Sequence, residues 1–306
     1  MGMSASDDPG DDPGDDPGNG SGRACPPVSS RLREGGIDAA LRAAAARLAT
    51  VSDTPRLDAE LLMAHALGVE RDRLLLDPSR FTAPMDFDAL VARRLAHEPV
   101  AYIVGTRDFW TIRLRVGPGA LIPRPDSETL IEAALAHFGS RGPRTILDLG
   151  TGPGTLLLAA LAEWPGASGI GIDAGEDALG YARGNAEALG MAGRAGFRRG
   201  DWGAEIDGPF DLILCNPPYI GDEEELMPDV AGHEPAAALF AGADGLDAYR
   251  RIVPDLPRLL APGGAAILEI GVTQHISVAA LARAASFSVD CRRDLGGRDR
   301  ALVLTR

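Results

Sequence analysis

From residue 123 onward, short apolar runs alternate with helical stretches, and nothing else in the 306-residue chain limits its fold as strongly. The candidate strands are Thr145–Leu149, Gly169–Asp173, Gly196–Arg199, Phe210–Cys215, Ala265–Ile270, Phe287–Cys291 and Ala301–Thr305. Helical segments separate most of them, including Glu176–Leu189, Leu246–Leu260 and Thr273–Ala284. Such alternation specifies an α/β fold, a mostly parallel sheet covered by helices on both faces. Seven strands within one stretch of this length make one doubly wound domain, not two. The connection "RRDLGGRDR" is too short for a crossover helix, so the last strand pair is expected to be antiparallel.

The residues before this unit divide into three parts. Residues 1–28 carry the acidic DDPG repeat three times, and Asp, Pro and Gly at that density cannot bury a core, so a disordered tail is expected. Residues 29–100 have helical periodicity: Ile37, Leu41, Ala45 and Leu48 share one face, and Leu57, Leu61, Leu62 and His65 recur at three- and four-residue steps. His65 on that stripe is expected to be a packed core histidine. A further helix is read in "DFDALVARRLA". Residues 101–122 alternate around Trp110, Ile112, Leu114 and Val116 with Gly105, Gly117 and Gly119 between, a β-hairpin linking two domains.

Composition excludes several functions. The formal charge is −14, and residues 1–28, with six Asp and one Arg, account for −5 of it, which leaves −9 for the rest. A general nucleic-acid binder would carry a basic surface instead. The chain has no lysine, so Schiff-base chemistry and a Walker phosphate loop are ruled out. No run of 18 apolar residues is present, so no membrane span is expected, and the start "MGMSASDDPG" does not read as a secretory signal. Cys25, Cys215 and Cys291 are far apart with no CxxC spacing, which points to a reducing cytoplasm. The five histidines show no ligand spacing, so no metal is expected.

Two short motifs carry the chemistry. In "TILDLGTGPGTLLLAAL", Gly150, Thr151, Gly152, Pro153 and Gly154 lie between a strand and an apolar helix, where glycines allow tight turning and close approach of a ligand. Asp173 ends the next strand, placed to accept hydrogen bonds from both ribose hydroxyls of a nucleoside. A nicotinamide cofactor is the competing reading. Asp148 before the glycines and Pro153 among them favour S-adenosylmethionine, because a pyrophosphate needs the backbone donors that a proline lacks. Trp202 follows the third strand, where it either packs or flanks the adenine.

The second motif is Asn216-Pro217-Pro218-Tyr219, at the end of the fourth strand and beside the first. An amide or aromatic amine is a poor nucleophile because its lone pair is delocalised. The Asn216 side-chain oxygen and the Pro217 carbonyl can hold its two N–H groups and favour the pyramidal nitrogen that attacks a methyl donor. Prolines stiffen the loop and add no competing N–H. Tyr219 offers a ring for stacking on a flat amide or base. The motif therefore reads as a socket for a planar NH2 group, with Asn216, Pro217 and Tyr219 catalytic and Pro218 completing the substrate contact.

From about Leu57 onward the sequence resembles the protein-(glutamine-N5) methyltransferases of class I peptide chain release factors. The matching stretches are LDAELLMAHALG, EPVAYIVGTRDFW, LIPRPDSE, ILDLGTGPG, GDW, FDLILCNPPYI, HEPAAALFAGADGLDAYR and RDRALVLTR. The resemblance implies a class I S-adenosylmethionine-dependent methyltransferase fold over 123–306, Rossmann-like with seven strands. It also implies that the helical module recognises the release factor. Gly150–Gly154, Asp173, Trp202 and Asn216 would bind the cofactor, which leaves as S-adenosylhomocysteine, and Asn216 to Tyr219 would receive the glutamine of a Gly-Gly-Gln loop. Three departures stand out: Ala236 where the family often has Arg, Pro153 where Ser or Thr is commoner, and the DDPG tail. Since the NPPY loop names only a planar NH2, three alternatives stay open. They are methylation of a ribosomal large-subunit protein, N6-adenine methylation of nucleic acid, and a silent nucleoside-binding module.

Overall fold

The computed structural model describes residues 36–306, so the expected acidic tail lies outside the described residues. Five helices come first: α1 (Ile37–Leu48), α2 (Pro55–Leu67), α3 (Arg71–Leu76), α4 (Phe87–Leu95) and α5 (Val100–Val104). Their shared core includes Leu41 and Leu48 of α1, Leu62 and Met63 of α2, Leu74 of α3 and Phe87 and Val91 of α4.

The buried stripes differ from the expected ones. On α1 the buried alanine is Ala44, not Ala45, because Ile37, Leu41, Ala44 and Leu48 keep to one line of a helix. On α2, Leu57 and His65 are exposed, while Asp58 and Glu60 turn inward. Ion pairing permits this. Asp58 accepts from Arg94 Nε at 2.9 Å, and Glu60 accepts from Arg56 at 2.6 Å and Arg71 at 2.7 Å. Neither carboxylate is left bare in a low-dielectric interior. His65 is thus a surface residue, not a core histidine. The same Arg94 reaches Asp229 at 3.4 Å, which ties the helical module to the segment that follows the NPPY loop.

The hairpin is shorter than 101–122. Only β1 (Thr106–Phe109) and β2 (Ile112–Arg115) pair, antiparallel, and Val100–Val104 is helical. Pro99 before that turn and Gly105 after it, at φ 76°, are start and stop signals that outweigh strand-like alternation.

Seven strands form one sheet: β3 (Thr145–Leu149), β4 (Ser168–Asp173), β5 (Ala195–Arg199), β6 (Phe210–Cys215), β7 (Leu260–Glu269), β8 (Ser288–Arg293) and β9 (Asp299–Thr305). Their order is β5-β4-β3-β6-β7-β9-β8, and only β9 runs against its neighbours β7 and β8. The remaining helices are α6 (Glu128–Phe138), α7 (Thr155–Glu163), α8 (Glu176–Ala188), α9 (Pro228–Ala231), α10 (Asp247–Ile252), α11 (Leu256–Leu259) and α12 (His275–Ala284). The single helix expected over Leu246–Leu260 is two, α10 and α11, joined by a tight turn at Val253–Asp255. Pro254 and Pro257 lack the N–H groups that a continuous helix would need.

Successive strand residues feed opposite cores. Ile146, Leu212, Leu214 and Ile267 pack with α6 and α7 on one face. Leu147, Ile213, Cys215 and Leu268 pack with Tyr249, Ile252 and Val278 on the other. A strand buried on both faces is apolar throughout, which is why these runs stand out in the sequence. The chain enters at β3, builds outward to β5, then returns to lay β6 on the other side of β3. The carboxyl ends of β3 and β6 therefore flank the switch point where open α/β sheets leave a crevice.

Candidate active site

The turn after β3 is tied to the end of β4. Gly150 and Thr151 both donate N–H to the Ile172 carbonyl, at 2.8 and 2.9 Å. Gly152 N–H donates to Asp173 Oδ2 at 2.8 Å, and Gly175 N–H to Asp173 Oδ1 at 2.9 Å. Asp173 thus braces the turn with both oxygens, a role beyond the ribose contact expected of it. Gly171 must be glycine for the same reason: a Cβ there would sit 2.6 Å from Thr151 Oγ1. Inside the turn, Asp148 accepts from Thr151 Oγ1 at 2.6 Å and Leu157 N–H at 3.2 Å. Its other oxygen is buried without a partner among the described residues. The Pro153 carbonyl accepts from Asn185 Nδ2 at 2.9 Å.

Across the switch point stands the loop after β6. Asn216 Nδ2 donates to Ser127 Oγ at 3.0 Å, and Ser127 donates to Glu269 Oε2 at 2.5 Å. The Tyr219 hydroxyl donates to Glu269 Oε1 at 3.4 Å, and Gln274 holds the Tyr219 carbonyl at 2.8 Å. A third wall joins the two loops of "LIPRPDSE" and "HEPAAAL". Buried Glu234 accepts from Ile122 N–H at 3.0 Å and pairs with Arg124.

These walls enclose a cleft of about 350 Å³, within the size range of small-molecule sites. Of the residues singled out from sequence, Gly150, Thr151, Gly152, Pro153, Asp173, Trp202, Asn216 and Pro218 line it. Gly154, Pro217 and Tyr219 do not. Gly154, at φ 86°, opens α7, and Pro217 is buried. Trp202 holds a left-handed backbone at φ 50°. A Cβ on Gly150 would meet its ring at 3.2 Å, so that glycine keeps the space between them.

A family model described as "PrmC N-terminal domain" matches residues 39–105, and one described as "Methyltransferase domain" matches 143–286. The chain is similar to the release factor glutamine methyltransferase of Rhodospirillum rubrum, 46% identical over 83% of this chain and 80% of that one. Its counterpart in Cereibacter sphaeroides is 47% identical over 85% of this chain and 95% of that one. The one in Mycolicibacterium smegmatis is 42% identical over 87% and 96%. The chain belongs to the release factor glutamine methyltransferase family. Among solved structures, the catalytic domain of hMettl16 in complex with a MAT2A 3′UTR hairpin is similar at TM-score 0.52 and 16% identity, over 71% of this chain and 81% of that one. It shares the fold.

In this member of the family, the sequence motifs missed four polar side chains of the site: Arg124, Ser127, Glu234 and Glu269. The clearest signal for one of them is an acid inside an apolar strand, in "AAILEI". Burial pushes the Glu269 carboxyl up to about 7, against the pull of the Ser127 hydroxyl and the Arg300 charge. Burial likewise pushes Asp148 up to about 7, against its bonds from Thr151 and Leu157. Both raised groups hold protons in the folded chain that the unfolded chain releases at lower pH. Their contribution to stability is therefore full below the unfolded values, 3.8 and 4.5, and is lost as pH rises through about 7. Urea unfolding should show the chain less stable at pH 8 than at pH 5 by a few kcal/mol, at about 1.4 kcal/mol per pKa unit. Asp148→Asn should reduce that slope to the part that Glu269 contributes, and an unchanged slope would contradict the assignment.

The structure also brings together three groups that no spacing in the sequence announced. Atoms of His275, Cys291 and Asp299 lie within 4.8 Å of one another, so the absence of histidine spacing did not reveal this cluster. Asp299 there is paired with His275 at 2.8 Å and with Arg293 at 3.0 Å, and none of the three lines the cleft.

Proposed function

We propose that the chain transfers a methyl group from S-adenosylmethionine to the side-chain amide nitrogen of the glutamine in the Gly-Gly-Gln loop of class I release factors. The observation that carries this reading is Asn216. It lines the cleft beside the glycine turn, its Nδ2 is committed to Ser127, and its Oδ1 has no protein partner among the described residues. The names of its relatives supply the acceptor.

Gly150, Thr151, Gly152, Pro153, Asp173 and Trp202 would hold S-adenosylmethionine. They fit it: the Gly150–Trp202 gap is kept open, Pro153 offers no pyrophosphate donor, and Asp173 presents a carboxylate at the strand end. The cofactor supplies a methyl group on a sulfonium and leaves as S-adenosylhomocysteine. The protein's part is placement. Asn216 Oδ1 accepts one N–H of the acceptor amide. The Pro217 carbonyl, to which no described protein group donates, is the second acceptor in this reading, although Pro217 lies outside the cleft lining. Holding both N–H groups turns the nitrogen lone pair toward the donor. Tyr219 lies outside the lining with its hydroxyl on Glu269, so in this reading it braces the loop and is not a stacking platform.

An acidic chain of formal charge −14 argues against adenine in nucleic acid as the acceptor. The reading places the reaction in the cytoplasm and gives it no membrane partner. Among the described residues no helix is long and apolar enough to cross a membrane. Parallel incubations with labelled cofactor test the acceptor class. Release factor should take label, whereas large-subunit ribosomal proteins and adenine-containing duplex DNA should not. Preferential labelling of either of those would overturn the reading.

A further inference from the structure

Ser127 closes a tight turn at Pro125–Ser127, just before α6, and is 2% exposed. Glu269 ends β7 and is 1% exposed. The reaction needs neither as acid, base or nucleophile, yet both lie in one unbroken hydrogen-bonded chain that ends on Asn216.

The directions of those bonds follow from the atoms. Above about pH 7, where its raised carboxyl is ionised and can only accept, Glu269 receives two hydroxyls, Ser127 on Oε2 at 2.5 Å and Tyr219 on Oε1 at 3.4 Å. Burial raises this carboxyl to about 7, and the Ser127 hydroxyl and the Arg300 charge pull the other way, toward the ionised form. A serine hydroxyl has one proton, and here it is given to Glu269. Oγ can then only accept, and the group 3.0 Å away must be the NH2 end of the Asn216 amide. This leaves Oδ1 as the end that meets the acceptor. Without Ser127 the two amide orientations would be nearly equivalent. In the flipped one, an NH2 would face the acceptor's own N–H groups and repel them.

We propose that Ser127, anchored on Glu269, is a positioning residue that locks the Asn216 amide with its oxygen toward the methyl acceptor. The inference deepens the proposed function and rests on it for the acceptor, but the orientation itself can be read without any acceptor.

The chain has only three asparagines, Asn19, Asn185 and Asn216, so selective 15N-asparagine labelling gives three side-chain NH2 groups to resolve by NMR. Asn216→Asp assigns the one of interest. In the parent protein at pH 8, where Glu269 is ionised, one Asn216 amide proton should be protected from solvent exchange. Ser127→Ala should remove that protection and lower kcat about 100-fold, with KM and cofactor affinity within a few-fold of the parent. Ser127→Thr keeps a hydroxyl and should retain both protection and most of kcat, which a merely structural role for the position would not require. Persistent protection in Ser127→Ala, an unchanged kcat, or Ser127→Thr as poor as Ser127→Ala would each overturn the inference. If the parent fails to methylate release factor, the proposed function falls, and the exchange measurement alone decides the role of Ser127.

Discussion

Asn216→Ala is expected to lower kcat for methyl transfer by about 10²–10³-fold, the usual cost of deleting one well-placed polar group at a reacting centre. Cofactor affinity should stay within a few-fold, because the turn proposed to hold the nucleoside is built from β3 and β4. Gly150 and Thr151 hang from the Ile172 carbonyl and Gly152 from Asp173, with no bond to Asn216. Removal of the side chain takes away the Oδ1 acceptor and leaves Ser127 Oγ without its donor at 3.0 Å. Asn216→Asp separates these two losses. It restores an oxygen facing the cleft but brings a carboxylate next to a hydroxyl already committed to Glu269, so it should remain impaired. Single-turnover kinetics with saturating cofactor would report the chemical step directly. Turnover of Asn216→Ala at the parental rate would contradict the assigned role.

Asp173→Ala is expected to act on the other half of the site, raising the cofactor Kd by about 100-fold, as loss of two charge-assisted hydrogen bonds implies. The effect has two sources. The carboxylate is the acceptor proposed for the ribose hydroxyls, and it also fixes the turn through Gly152 N–H at 2.8 Å and Gly175 N–H at 2.9 Å. Asp173→Asn keeps one acceptor oxygen and should bind with intermediate affinity. Isothermal titration with S-adenosylhomocysteine checks both variants, and parental affinity in Asp173→Ala would reject the assignment.

The two variants separate binding from placement, and the sequence made their positions legible for a common reason. Asn216 and Asp173 each end a buried parallel strand, and such strands read as apolar runs closed by one polar residue. The seven strands themselves were legible on the same ground, with β7 reaching back further, to Leu260, than the run of apolar residues suggested. What stayed hidden depended on partners distant in sequence. Asp58 and Glu60 turn inward because arginines reach them, Arg94 from 36 positions away. Periodicity on α2 alone therefore pointed to Leu57 and His65. Ser127 meets Asn216 across 89 positions and Glu269 across 142, and Arg124 meets Glu234 across 110. Local patterns do not encode such pairs. The helical turn at Val100–Val104 was missed for a different reason, since Val, Tyr and Ile suit a strand and only the flanking Pro99 and Gly105 signal a helix.

The "NPPY" loop, as read from the sequence, points to a planar NH2 and no more, so the central claim rests on which NH2 it receives. The most direct measurement incubates the chain with methyl-labelled cofactor and two purified release factors, one native and one with the glutamine of Gly-Gly-Gln replaced by alanine. The expected result is label in the native factor alone, located to that glutamine by fragmentation mass spectrometry. Equal labelling of both factors would contradict it.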